Sequence, residues 1–174
     1  MYNFLQRLGR SLMLPIAVLP AAAIITGIGN LLKALQLWPH VAEFFAQGGM
    51  AILDQLGILF AVGVALGMAK KNDGAVTLAA VVGYFLTTQV LKPEHLSVLL
   101  GIDKNDVNMA FEQMNNGNVF VGLLVGLIAA FTYNRFSQTE LPMALSFFSG
   151  KRLVPIMTAF FSLGLIVVLM VVWA

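Results

Sequence analysis

Between Arg10 and Lys33 the chain runs for 22 residues, Ser11–Leu32, without one charged side chain. As a helix rising about 1.5 Å per residue, that run reaches roughly 33 Å, enough to cross a hydrocarbon core of about 30 Å. Comparable charge-free intervals recur at Gln55–Ala69, Gly74–Leu91, Gln113–Asn134 and Leu153–Ala174. Hydrophobic residues make up 59% of the chain and charged residues 10%, against about 25% charged in soluble domains. A water-soluble core of 174 residues could not hide so much apolar surface. The fold class is therefore all-α: a polytopic membrane protein with five spans. The second interval is short, and it suffices only if Gly49–Leu53 extends it, which places Asp54 at the helix end or inside the span.

Lys and Arg set the orientation. Arg7, Arg10, Lys70, Lys71, Arg135, Lys151 and Arg152 fall on one side of the five spans; Lys33, Lys92 and Lys104 fall on the other. The seven-to-three split puts the amino terminus of this multi-pass chain in the cytoplasm. Trp38 and Trp173 are expected at the outer interface and Tyr133 at the inner one. Before the first span, Phe4, Leu8 and Leu12 repeat at helical spacing among Asn3, Gln6, Arg7 and Arg10. Residues 1–10 thus read as an amphipathic helix lying in the inner interface. A cleavable signal peptide ending near Ala21–Ala23 is the competitor, but the apolar run continues well past that point.

Few residues carry obvious chemistry. Cysteine is absent, which excludes thiolate metal sites, disulfides and thiol catalysis within these residues. His40 and His95 have no second ligand at metal spacing, so no metal site is expected. No nucleotide loop, Ser-His arrangement or paired carboxylate appears, and no polar stripe that could line a channel. Pro15 and Pro20 lie inside the first span and should bend or open it. Gly63 with Gly67, and Gly122 with Gly126, put bare backbone on one helix face one turn apart, which suits close packing within the chain or between copies. Lys70–Lys71–Asn72–Asp73–Gly74 joins two spans through a tight turn, with Gly74 expected at positive φ. Its lysines could hold lipid phosphates or dock an acidic partner. The outer loop from Lys92 to Glu112 has some helical character, and Asn115–Asn118 punctuates before the fourth span. The inner loop from Arg135 to Arg152 carries apolar Leu145, Phe147 and Phe148, suited to packing on protein or lying among headgroups.

Three stretches taken together, LPIAVLP (Leu14–Pro20), LFAVGVALGMAKKNDGAVTLAAVVGY (Leu59–Tyr84) and YNRFSQTELPMALSFFSGKRLVPI (Tyr133–Ile156), resemble one family. It is the membrane component, enzyme IIC, of the bacterial phosphoenolpyruvate-dependent sugar phosphotransferase system, in its glucose/N-acetylglucosamine branch. The resemblance covers nearly the whole chain and leans toward the N-acetylglucosamine type. It implies import of a hexose coupled to its phosphorylation, the phosphoryl group being supplied by IIA and IIB partner domains with no other cofactor. It also implies that residues 11–174 form the scaffold and dimerisation half of the component. The family's sugar-binding Thr-Glu-Pro stretch and span histidine have no counterpart here, so no catalytic or sugar-binding residue carries over. Homodimer contacts remain an expectation. Lys70, Lys71, Asn72, Asp73, Arg135, Lys151 and Arg152 are the candidate contacts for IIB, a basic surface offsetting phosphate charge. The alternative is a stand-alone membrane interaction protein without transport activity. A reading frame continuing into further spans with Thr-Glu-Pro would favour the first reading.

Overall fold

A computed structural model of the chain describes residues 2–103, 106–107, 111–112 and 117–173, with the side chain of Trp173 excepted. Lys104, Asn115 and Asn116 lie outside the described residues. Within them the regular structure is helical: α1 (Tyr2–Ser11), α2 (Met13–Ala34), α3 (Pro39–Leu53), α4 (Leu56–Met68), α5 (Gly74–Val90), α6 (Pro93–Leu100), α7 (Val119–Phe136) and α8 (Leu153–Trp173). Two short 3-10 helices, Met143–Phe148 and Gly150–Arg152, lead into α8. Three stretches are long and apolar enough to cross a membrane (Tyr2–Ala34, Val119–Phe136 and Gly150–Val172), or five if two bent pairs each count as one span.

The second span differs most from expectation. Residues 39–53 form a separate helix, α3, which joins α4 at Asp54–Gln55 with a bend of 46°. Alone, the 13 residues of α4 reach only about 20 Å, so a crossing here needs α3 as well. Asp54 is exposed at this break. Pro39 at the first turn of α3 and the left-handed Trp38 (φ 41°) and Gln36 (φ 53°) turn the chain back on α2. Lys33 then pairs with Glu43 at 2.6 Å across the turn. That pairing explains why Glu43 is tolerated in a helix that the charge pattern leaves out.

The rod α1–α2 and the bent rod α3–α4 run antiparallel along a seam of small residues. A methyl on Gly29 would strike the Ala46 backbone, and one on Gly49 would strike Thr26. Further along, a methyl on Gly63 would lie 2.6 Å from the Pro15 ring, and one on Gly67 would strike Ser11. Without a hydrophobic drive between helices in lipid, close backbone approach is what holds such a seam. Gly122 and Gly126 serve the opposite face of α4: a methyl on Gly122 would strike the Gly57 carbonyl, and one on Gly126 would lie 2.6 Å from the Ala61 carbonyl oxygen. All four glycines are therefore occupied within the chain.

Pro15 falls in the first turn of α2, because a turn at Leu12 separates α2 from α1. There its missing N–H costs nothing. Helical bonding passes through the junction, Leu12 N–H donating to Leu8 O and Ile16 N–H to Leu12 O. Pro20 is carried in the helix interior without a break. The core lies among α4, α5, α7 and α8, with Val64, Val76, Tyr84, Val121, Val125 and Val154 fully enclosed. The hydroxyls of Thr132 and Thr158 share a buried hydrogen bond at 2.6 Å between α7 and α8.

Candidate functional site at the basic end of the bundle

The loop after α4, the end of α7 and the start of α8 meet at one end of the bundle. Asp73 organises them. Its Oδ1 accepts the Ala75 N–H at 3.0 Å, capping α5, while Gly74 is the first helical residue and not a positive-φ turn. Its Oδ2 takes an ion pair from Lys151 and the Tyr133 hydroxyl at 3.2 Å. The Lys151 ammonium, and after it the Ala75 N–H, hold the Asp73 carboxyl below its usual range, against a smaller opposing effect of desolvation. Gly150, at φ 67°, donates its N–H to Thr139 O at 2.9 Å and turns the chain just before Lys151.

Tyr133 is only 2% exposed: its ring is buried in the protein while its hydroxyl reaches the basic end. A buried phenol needs a hydroxyl partner, and Asp73 supplies one. Asn134 beside it ties α7 to the end of α4. Its Oδ1 accepts the Lys70 N–H at 2.6 Å and its Nδ2 donates to the Met68 carbonyl at 3.1 Å. Arg7 donates to the same carbonyl at 3.4 Å. Cationic and polar donors thus converge on the negative end of α4. Sequence reasoning missed Asn134 and the part played by Arg7; a polar residue between Tyr133 and Arg135 in an otherwise apolar run was the available signal.

Around Asn134 opens a cleft of about 180 Å³ lined by Lys70, Lys71, Arg135 and Lys151, with Tyr133, Ser137 and Gln138. Asn72 is exposed on the neighbouring turn. Arg152 stands apart: it stacks on the Phe147 ring, 4.8 Å from its centroid, and donates to the Phe147 carbonyl at 3.2 Å. Met143 (95% exposed), Leu145, Phe147 and Phe148 are exposed apolar side chains on the short helix before it. His95 Nδ1 lies 2.6 Å from Gln89 O, and no cluster able to hold a metal occurs among the described residues. Four cations around a cleft with one carboxylate can bind an anion.

These features define a class: an integral, multi-pass helical membrane protein with a basic cleft at one end. The sequence matches the family described as "Phosphotransferase system, EIIC" over residues 9–174. The chain belongs to that family. It is 42% identical over 99% of its length to the PTS system N-acetylglucosamine-specific EIICB component of Bacillus subtilis (strain 168), covering 33% of that protein. Against the N-acetylglucosamine-specific EIIC component of Streptomyces coelicolor, identity is 40% over 99% of the chain and 42% of the relative. For the N-acetylglucosamine-specific EIICBA component of Escherichia coli (strain K12), it is 41% over 98% of the chain and 23% of the relative. The chain spans less than half the length of each of these relatives.

Proposed function

We propose that residues 1–174 form the scaffold half of a sugar permease of the phosphoenolpyruvate-dependent phosphotransferase system. The permease imports a hexose and phosphorylates it, with N-acetylglucosamine the first substrate and glucose the second. The observation that carries this reading is 40–42% identity, over almost the whole chain, to three relatives named for N-acetylglucosamine. Relatives named for glucosamine and glucose match at 41% and 37%. The sugar contacts belong to spans outside these residues, so kinase and transferase activity belongs to the whole complex. The B and A letters in relatives' names support IIB and IIA phosphocarrier domains as partners. The basic cleft, with Asn72 beside it, is the surface offered to phosphorylated IIB, and two copies of the scaffold pair as a homodimer.

Equilibrium binding of N-acetylglucosamine to the purified chain tests the scaffold assignment: no saturable binding is expected, and micromolar affinity would overturn it. In membranes carrying the full reading frame, Lys70→Glu with Lys71→Glu should impair sugar phosphorylation while sugar binding survives. Reporter fusions at Asn72 and Ser146 check that orientation is kept, since those lysines also contribute to the topology signal.

A further inference from the structure

The basic cleft does not end at its polar rim. Asn134 also borders an apolar groove of about 390 Å³ formed by Phe4, Met68, Leu127, Ala130 and Phe131, with Arg7 at its edge. Leu127 and Phe131 in turn border a second apolar groove of about 350 Å³, completed by Ile128, Phe161 and Leu165. Phe131, 57% exposed, stands between the two. Asn134, Phe131 and Leu127 descend the outer face of α7, so the grooves run roughly 10 Å from the helix end into the span. A polar pocket rich in cations adjoins one apolar trough, which adjoins a second across a single ring.

We infer that this arrangement is a site for one anionic glycerophospholipid. The phosphate headgroup lies among Lys70, Lys71 and Arg135, and the two acyl chains lie on either side of Phe131. Charge complementarity selects the occupant. Lys151 is already paired with Asp73, whereas Lys70, Lys71 and Arg135 are exposed cations around a cleft of headgroup size. Basic pockets at the cytoplasmic side of helices bind anionic headgroups, each cation strengthening binding about fivefold. A free phosphate would use the same cations but gain nothing from the grooves. The inference stands on this geometry and does not require the transport reading.

Native mass spectrometry of the purified chain tests it, with phosphatidylglycerol, phosphatidylcholine and inorganic phosphate as separate probes. One phosphatidylglycerol per chain should be retained, at least fivefold more strongly than phosphatidylcholine. Lys70→Gln and Arg135→Gln, at exposed positions, should each lower that retention about fivefold. Phe131→Ala should lower the retention of both lipids and leave their ratio intact. Equal retention of the two lipids overturns the site. Inorganic phosphate binding as tightly as phosphatidylglycerol overturns the lipid as its source. A failed sugar-phosphorylation assay leaves these readings untouched, so the two proposals fail separately.

Discussion

The α2–α3 hairpin and the α4–α5–α7–α8 bundle use the same small-residue chemistry to different ends. In the hairpin, Ala22, Gly29, Ala42, Ala46 and Gly49 form one buried stripe. Beyond that stripe Ile24, Ile28, Leu31, Phe44 and Met50 point outward. In the bundle, α4 is approached on two faces, by Ser11 and Pro15 on one and by Gly122 and Gly126 on the other. The hairpin is thus a pair of helices held by one seam, whereas α4 is held between two. Loss of one contact should open the hairpin alone, but it should unfold the bundle as a unit.

Gly126→Leu against Gly29→Leu is the sharpest way to break that contrast. Both collide with backbone, which cannot swing aside. Gly126→Leu should cost about 3 kcal/mol of bundle stability. Gly29→Leu should raise protease cleavage near Trp38 while leaving the main unfolding transition in detergent unchanged. Equal losses from the two would mean that hairpin and bundle unfold together.

Asp73→Asn should come next, by loosening the starts of α5 and α8 at once, read as faster cleavage within residues 137–150. Acid should act likewise. A carboxyl held below its usual range stabilises the fold above about pH 4, and that contribution is lost as pH falls through its lowered value. Cleavage of the native chain should therefore accelerate at low pH, and cleavage of Asp73→Asn should change less over the same range. Thr158→Val removes one hydroxyl of the buried pair, while Thr132 retains its bond to Ala129 O. The expected cost is about 0.6 kcal/mol by thermal unfolding. Least of all, Gly27→Ala in the hairpin and Gly164→Ala in α8 meet open space. Both should change stability by less than about 1 kcal/mol, and a large effect of either would show a contact that the seam account lacks.

Much of this architecture was legible in the chain. The interval Gly74–Leu91 became α5 over Gly74–Val90, and Leu153–Ala174 became α8 over Leu153–Trp173, because basic residues mark their inner ends. The helix α3 was not legible, since Glu43 interrupts the apolar run and its neutraliser, Lys33, lies across a turn. The interval from Gln113 overshot, because α7 starts only where the Asn118 side chain accepts the Val121 N–H at 3.0 Å. At the basic end, charge counting found the cations but not their division. Arg152 is drawn to Phe147 and Lys151 to Asp73, which are side-chain geometries that spacing does not encode. Tyr133 read as an interfacial aromatic, and its bond to Asp73 could not be foreseen, because the acceptor lies 60 residues away in sequence.

Asp73 joins the start of α5, the last turns of α7 through Tyr133, and the approach to α8 through Lys151. Three rods fastened at one tip have a common pivot. Freeing that one carboxylate should therefore loosen all three at once, and amide exchange in Asp73→Asn should quicken at the start of α5 and the approach to α8 together.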